Sequence, residues 1–147
     1  MNKVIALGAD NGYMDKVETT IKSVCAHNDS IKFYVFNDDL PSEWFRVMNK
    51  RLRTIHSEIV NVKISDNNLQ GYHLPTAHLS YAAYFRFFIS KIVEEERVLY
   101  LDSDIIVDGS LTELFETDFD DYPLAAVRDE VMWSNFNSGV MLINNKY

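Results

Sequence analysis

Short apolar runs alternate with amphipathic segments along this chain, and the alternation predicts its fold. Six apolar runs have the length of buried strands and occupy residues 4–9, 31–36, 59–64, 98–101, 124–127 and 140–143. Between them, apolar residues recur at intervals of three and four residues in segments that begin at Met14, at Ser42 and near Leu79. Such a regular alternation predicts an α/β fold with a doubly wound, parallel sheet and right-handed crossovers.

Two acidic residues follow the fourth apolar run directly. Asp102 and Asp104 stand where a strand over Val98–Leu101 reaches the edge of the sheet. If this segment stays extended, side chains two residues apart point the same way, and the two carboxylates converge. Two close carboxylates repel each other and favour a divalent cation with oxygen ligands. Because open α/β sheets bind ligands at the carboxyl ends of their strands, the pattern favours a metal site over an ordinary solvated turn.

Other proteins with an Asp-x-Asp pair have different chemistry. A calcium loop of the EF-hand type is excluded, because Ile106 and Val107 stand where that loop needs an oxygen ligand and a glycine. A metal-dependent phosphotransferase with Asp102 as nucleophile stays open, because that class also places the pair after a buried strand. The position of the pair late in the chain is atypical of that class.

Composition and charge narrow the range of partners. The chain has 147 residues with 47% hydrophobic content, only five Gly and three Pro, which is typical of one compact domain. A net charge of −8 argues against a nucleic-acid partner and makes a bridging cation more necessary for an anionic nucleotide. The single cysteine, Cys25, excludes a disulfide framework, and no apolar stretch reaches membrane-spanning length. We therefore expect a cytoplasmic location.

Five stretches together resemble the amino-terminal half of the family 8 glycosyltransferases, which are retaining enzymes of the GT-A fold that use nucleotide-sugar donors. In chain order they are Ala9-Asp10-Asn11-Gly12-Tyr13, Tyr84-Phe85-Arg86, Val98-Leu99-Tyr100-Leu101-Asp102-Ser103-Asp104, Ser110-Leu111-Thr112-Glu113-Leu114-Phe115 and Phe136-Asn137-Ser138-Gly139-Val140-Met141-Leu142-Ile143-Asn144. Each stretch is a weak signal alone, but the ordered set is specific. The resemblance implies a GT-A-type, Rossmann-like and mostly parallel sheet flanked by helices.

The resemblance also implies a function. It predicts a hexosyltransferase that moves galactose or glucose from a UDP-sugar to a saccharide or glycan acceptor, with Mn²⁺ or Mg²⁺ held by Asp102 and Asp104 at the donor diphosphate. The remaining roles that it implies are uracil binding by Asp10 and Tyr13, a pocket lined by Gly8 and Ala9, ribose proximity for Ser103, contact with the donor sugar by Arg86 and by the catalytic positions Asp129 and Asn137, and an acceptor-side position for His78.

The resemblance makes residues 1–147 the nucleotide-sugar-binding part of a longer domain. Family members continue with a His-x-x-Gly-x-x-Lys-Pro-Trp segment, whose His is the third metal ligand and whose Lys contacts the diphosphate. We therefore expect a truncated chain that binds UDP but turns over a UDP-sugar poorly. A homo-oligomer, peripheral membrane association through a carboxyl-terminal region, and a non-catalytic nucleotide-binding module stay open.

Overall fold

A single six-stranded sheet organises the part of the chain that the computed structural model describes, which is residues 3–65, 81–119 and 121–146. The strands are β1 Lys3–Gly8, β2 Ile31–Asn37, β3 Glu58–Lys63, β4 Arg97–Leu101, β5 Leu124–Arg128 and β6 Phe136–Asn144. Every predicted strand is present, and β6 begins at Phe136 instead of Val140.

Helices cover both faces of this sheet. They are α1 Met14–Cys25, α2 Ser42–Leu52, α3 Ile89–Ile92 and α4 Thr112–Glu116, with 3₁₀ helices at Asn11–Tyr13, Arg53–Ile55 and Tyr81–Phe88. The helices predicted to begin at Met14 and Ser42 are confirmed. Across the three described ranges, no helix combines the length and the apolar character that crossing a membrane requires.

The strand order is β3-β2-β1-β4-β6-β5, and strands β1 to β4 are parallel to one another. β6 runs antiparallel to both β4 and β5. The mostly parallel sheet implied by the family resemblance is therefore confirmed, whereas the fully parallel sheet predicted from the alternation alone is wrong. The reason is the short connection 129–135, which suffices for a hairpin but not for a parallel crossover of a dozen or more residues.

The carboxyl ends of β1 and β4 meet where the strand order reverses. β1 lies between β2 and β4, so the chain leaves β1 toward one side and later returns to the other. The hydroxyl of Ser103, directly after β4, donates to the carbonyl oxygen of Gly8. The Thr20 hydroxyl on α1 donates in turn to the Ser103 carbonyl oxygen at 3.0 Å. These buried bonds connect the two strand ends to α1, and they lie where open α/β sheets bind their ligands.

Alternating side chains divide the core into two clusters. On one face, Leu7 and Leu99 pack with α1 and α2 through a group that includes Val17, Ile21, Phe45 and Met48. On the other face, the strand residues pack against the 3₁₀ segment Tyr81–Phe88 through a group that includes Val4, Ala6, Tyr100, Phe85 and Phe88. Because successive residues of a strand face opposite sides, nearly every position of the central strands β1, β2 and β4 is buried, which explains their continuous apolar runs.

The segment before β4 differs from its prediction. The sequence predicts an α-helix from about Leu79 to Val93, but Tyr81–Phe88 is a 3₁₀ helix and only Ile89–Ile92 is α-helical; Leu79 lies outside the described residues. A 3₁₀ helix has three residues per turn, so Phe85 and Phe88 lie on the same side, and both are buried against the sheet.

A buried amide connects α1 to the segment that leads into α4. The Nδ2 atom of Asn28 donates to the carbonyl oxygens of Val24, at 3.0 Å, and Gly109, at 3.1 Å. Its Oδ1 atom accepts the backbone N–H of Leu111 at 2.8 Å. This side chain therefore satisfies backbone groups of the segment that follows the Asp102–Asp104 pair.

Replacing Asn28 with Ala is expected to lower the free energy of unfolding by roughly 2 kcal/mol, because the Gly109 carbonyl and the Leu111 amide lose their partner in a buried place. Urea denaturation measures the change. Asn11, which is exposed, provides the control, and Asn11→Ala is expected to change stability by about 0.5 kcal/mol or less. Equal effects of the two substitutions would contradict a bridging role for Asn28.

Candidate functional site

A hollow of about 630 Å³ opens at the carboxyl end of β4. Asp102 lines it from the end of β4, Asp129 from the β5–β6 connection, and Asn137 from β6. The structure therefore brings three of the predicted site residues to one place, although 27 or more residues separate the first from the others along the chain (129 − 102 = 27). The antiparallel return of β6 beside β4 produces this arrangement.

The Asp102 carboxylate has close contacts on several sides. Its Oδ1 atom accepts a hydrogen bond of 2.8 Å from the Tyr100 hydroxyl, and the Nη2 atom of Arg86 lies 3.6 Å from the same oxygen. The Asp102 backbone N–H donates to the Gly139 carbonyl oxygen at 2.8 Å. A Cβ atom on Gly139 would lie only 2.6 Å from Asp102 Oδ2, so the carboxylate occupies space that a side chain at residue 139 would fill.

Arg86 connects the 3₁₀ segment to β4 and β6. Its Nη1 atom donates to the Ser138 carbonyl oxygen at 3.0 Å and to the Ser138 hydroxyl at 2.7 Å. Its guanidinium carbon lies 5.0 Å from the centre of the Tyr100 ring, which is within the range of a cation–π contact. The side chain is 19% exposed. Sequence alone left Arg86 equally open to a surface role and a ligand role, and the structure places it against Asp102.

Tyr100, Ser138 and Gly139 are site residues whose roles the sequence did not indicate. Burial raises the pKa of the Tyr100 phenol well above its usual range; nearby Arg86 acts in the opposite direction, while Asp102 adds to the rise. The hydroxyl therefore stays protonated at neutral pH and remains a hydrogen-bond donor. The spacing of Tyr100 and Asp102 could have indicated their contact, because residues two apart on a strand lie on the same face.

Asp104 lies in a different environment from Asp102. Ser103 and Asp104 form a turn directly after β4, so the extended geometry on which the predicted convergence of the two carboxylates depended is wrong. Asp104 is exposed and lines a second hollow, of about 300 Å³, with residues of α1 that include Lys16 and Thr20. Within the described ranges, no three His, Cys, Asp or Glu side chains are grouped closely enough to hold a metal ion.

The loop after β1 holds the predicted base-binding residues. Asp10 caps the short 3₁₀ helix, and its Oδ1 atom accepts the Tyr13 backbone N–H at 3.1 Å. The Tyr13 ring is 41% exposed, and the Nζ atom of Lys16 lies 4.3 Å from its centre. Gly8 is half-buried and Ala9 fully buried at the base of this loop.

A second acidic loop, after β2, contacts the loop that contains Asp10. The Oδ1 atom of Asp39 accepts the Asn11 backbone N–H at 2.7 Å. Burial raises the pKa of the neighbouring Asp38 carboxyl, and the negative charges of Asp39 and, more weakly, Asp10 add to the rise. Sequence analysis did not connect these residues, because contact between parallel-strand loops depends on strand order, which the apolar pattern does not reveal.

Asp129 and Asn137 both make local bonds that shape the hairpin between β5 and β6. The Oδ1 atom of Asp129 accepts the backbone N–H groups of Val131, at 2.8 Å, and Met132, at 3.0 Å. The amides of Met132 and Val131 hold the pKa of this carboxyl below its usual range. The Oδ1 atom of Asn137 accepts the Gly139 backbone N–H at 2.8 Å. Both side chains are thereby oriented at the rim of the hollow.

The remaining predicted site residues are Ser103 and His78. Ser103 is buried, and its hydroxyl is engaged by the Gly8 carbonyl, so it connects the strand ends as described above. His78 lies outside the described residues. Large apolar side chains of the hairpin region are exposed beside the hollow; they are Val127, Val131, Met132, Trp133 and Phe136.

Comparison with known proteins identifies similar chains. The model of the family described as glycosyl transferase family 8 matches residues 4–147. Glycosyltransferase GlyB of Streptococcus pneumoniae serotype 4 is 60% identical over 145 residues, which cover 97% of this chain and 36% of that protein. The crystal structure of glycosyltransferase GlyE from S. pneumoniae TIGR4 matches with a TM-score of 0.84 at 37% identity, covering 99% of this chain and 35% of that one.

A third similar protein is the galactosyltransferase LgtC, solved in complex with donor and acceptor sugar analogs. It matches with a TM-score of 0.83 at 28% identity, over 97% of this chain and 58% of that one. The GT-A-type fold implied by the sequence resemblance is thus confirmed. This chain spans about a third of the length of GlyB and of GlyE.

Asp129→Ala is expected to loosen the hairpin, because the Val131 and Met132 amides lose their shared acceptor. Hydrogen exchange at neutral pH should become several-fold faster, in order of magnitude, at those two amides. Folding lowers the pKa of the Asp129 carboxyl. Its contribution to the stability of the hairpin is therefore complete at pH values above the usual carboxyl pKa and is lost as the pH falls through the lowered pKa. Asp129→Asn keeps an acceptor oxygen and serves as the control; unchanged exchange in Asp129→Ala would show that the bonds are not needed.

Proposed function

The chain belongs to glycosyl transferase family 8, and from that membership we propose that it forms the donor-binding part of an enzyme that transfers a hexose from a UDP-sugar to a saccharide or glycan. The main support is the grouping of Asp102, Asp129 and Asn137 around one hollow at the carboxyl edge of the sheet. This edge is the usual ligand position in open α/β sheets. LgtC, a galactosyltransferase of the same fold solved with donor and acceptor sugar analogs, gives further support.

In this proposal the uracil binds at the loop after β1. The carboxylate of Asp10 accepts the uracil imide N–H, and the exposed part of the Tyr13 ring covers one face of the base. Lys16, over the Tyr13 ring, adds a positive charge near the path toward the diphosphate. Gly8 and Ala9 form the base of this pocket, and Ser103 keeps it close to the end of β4 through its bond to Gly8.

Asp102 and Asp104 line different hollows, and in this proposal their side chains turn toward one point to hold a divalent cation together with the donor diphosphate. Their carboxylates are the hard oxygen ligands that Mn²⁺ and Mg²⁺ accept, and both follow the end of one strand. Two protein ligands suffice for weak binding, because diphosphate oxygens and water can complete a shell of about six. When bound, such a cation supplies stabilisation for the negative charge that develops on the departing diphosphate.

The other residues of the hollow would orient the donor sugar. Asn137 and Asp129 carry polar groups at the rim that can bind sugar hydroxyls, while Arg86 brings a cation beside Asp102. In the transfer, the bond between the anomeric carbon and the diphosphate oxygen breaks, an acceptor hydroxyl oxygen forms the new bond to that carbon, and the hydroxyl proton passes to the departing diphosphate. Because the family consists of retaining enzymes, the proposal includes retention of configuration at the anomeric carbon. Orientation of both partners within the hollow contributes by proximity.

Two alternatives to this proposal are a phosphotransferase with Asp102 as nucleophile and a non-catalytic nucleotide-binding module. Calorimetric titration and covalent trapping distinguish both alternatives from the proposed donor site. Calorimetry with UDP, in the presence and absence of Mn²⁺, tests the proposed donor site on residues 1–147. Mn²⁺-dependent UDP binding is the expected result. Covalent trapping of a phosphate analogue on Asp102 would favour the phosphotransferase, and UDP binding that is indifferent to Mn²⁺ would favour the module.

Asp104→Asn is expected to abolish the Mn²⁺-dependent part of UDP binding while leaving the fold intact. Asp104 is exposed, and its replacement removes one of two neighbouring negative charges, so the melting temperature without metal should stay within about 3 °C. Calorimetric titration and thermal unfolding are measured on the same sample. Aggregation of the variant would instead indicate that the Asp102–Asp104 turn is structural.

Asp10 is expected to select UDP over ADP by on the order of 10-fold, because adenine presents a different hydrogen-bonding edge from the uracil imide. Competition titrations measure the ratio of the two affinities. In Asp10→Asn the ratio should approach one. This variant retains an acceptor for the Tyr13 amide, so the turn is kept. Equal binding of ADP and UDP by the unsubstituted chain would remove the assignment of Asp10 to the base.

A further inference from the structure

We propose that Tyr100 and Gly139 are positioning residues that fix the orientation of the Asp102 carboxylate, and through it the donor diphosphate with its cation. The inference rests on the proposed function for the ligand of Asp102. Its structural part, that Tyr100 holds one carboxylate oxygen and Gly139 leaves room for the other, depends only on the contacts described above.

Tyr100 restrains the first carboxylate oxygen from within the core. Its side chain is 4% exposed and belongs to the cluster that packs under the 3₁₀ segment, so the position of its ring is set by packing. The hydroxyl donates to Asp102 Oδ1 at 2.8 Å. Arg86 lies beside the same oxygen at 3.6 Å and is itself held by Ser138. Asp102, just beyond the end of β4, is thereby oriented by a group anchored in the sheet.

Gly139 leaves room for the second oxygen by having no side chain. A Cβ atom there would lie 2.6 Å from Oδ2 of Asp102, a distance that normal packing does not allow, and 3.3 Å from its Cγ, which is a tight contact. The backbone of Gly139 is not in the left-handed region, so its conformation alone does not require glycine. The requirement is for space, and the nearest atom that fills the space belongs to Asp102, with Asn137 Oδ1 next at 3.1 Å.

The bond from Tyr100 and the space beside Gly139 leave a defined part of the carboxylate for a ligand. An ionised carboxylate offers about four acceptor positions, and the Tyr100 hydroxyl uses one of those on Oδ1. The Asp102 side chain is 40% exposed and lines the 630 Å³ hollow, so the remaining positions are accessible there. Groups that orient a metal ligand typically change metal affinity by about 10- to 100-fold when removed.

The first test compares two Tyr→Phe substitutions that each remove one hydroxyl. Tyr100→Phe should weaken the Mn²⁺-dependent part of UDP binding by on the order of 10-fold and leave Mn²⁺-independent binding unchanged. Tyr34→Phe is the matched control: its ring is also buried in the same cluster, but its hydroxyl bonds Glu95, which precedes β4. Equal losses in both variants, or a loss of both kinds of binding in Tyr100→Phe, would overturn the role of Tyr100.

The second test measures the contact of Gly139 with Asp102 without any nucleotide. Gly139→Ala should lower the melting temperature of the otherwise unsubstituted chain, because Asp102 must move away from the new Cβ atom. In an Asp102→Ala background the same substitution should lower it less, because the nearest obstructing oxygen is gone and only Asn137 Oδ1, at 3.1 Å, remains close to the new Cβ atom. Equal shifts in the two backgrounds would overturn the role of Gly139.

The two tests separate this inference from the proposed function. Absence of UDP binding by the unsubstituted chain would contradict the donor site, while the thermal cycle would still report whether Gly139 and Asp102 are coupled. Conversely, strong Mn²⁺-dependent UDP binding that Tyr100→Phe leaves unchanged would support the donor site and refute positioning by Tyr100.

Discussion

The antiparallel pairing of β6 with β4 is the constraint on which the candidate site depends. Its register continues past Leu101↔Val140, so that the backbone of Asp102 bonds to Gly139. That bond places the start of β6 beside the end of β4, where Asn137 and Ser138 reach the hollow and Arg86. A parallel β6 would bring its carboxyl end there instead, and none of these contacts would form.

The candidate site lies between β1 and β6, and different interactions hold each of these strands beside β4. The β1 side is fixed by buried polar links, in which Ser103 connects to Gly8 and Thr20 connects to Ser103. The β6 side is fixed by ladder bonds and by the bonds within the hairpin. Asp102 belongs to both, since it follows β4, the strand that pairs with β1 and with β6. Buried hydrogen bonds of this kind are costly to leave unsatisfied, so they hold the strand ends in register.

Sequence alone indicated the strands, because burial on both faces of a sheet leaves continuous apolar runs. It also predicted a candidate site at the end of β4, because the carboxylates there stand out against the apolar run. It did not indicate the direction of β6, which depends on the length of the 129–135 connection. The turn at Ser103–Asp104 was also missed, since residues two apart were assumed to stay extended. The need for glycine at residue 139 arises from a cross-strand neighbour, and no local pattern reports such a neighbour.

The hairpin between β5 and β6 is closed by its own bonds. The Asp129 amide donates to the Asn135 carbonyl, and the Asn135 amide donates to the Met132 carbonyl, so the tip around Trp133 is not needed to align the strands. The pairing of β5 with β6 already contains a register shift, between Ala126 and Arg128. Insertions at the tip can therefore reshape the rim of the hollow without moving Gly139. The molecule thus has a segment where evolution or engineering can change the lining of the hollow while Asp102 and Gly139 keep their relative geometry.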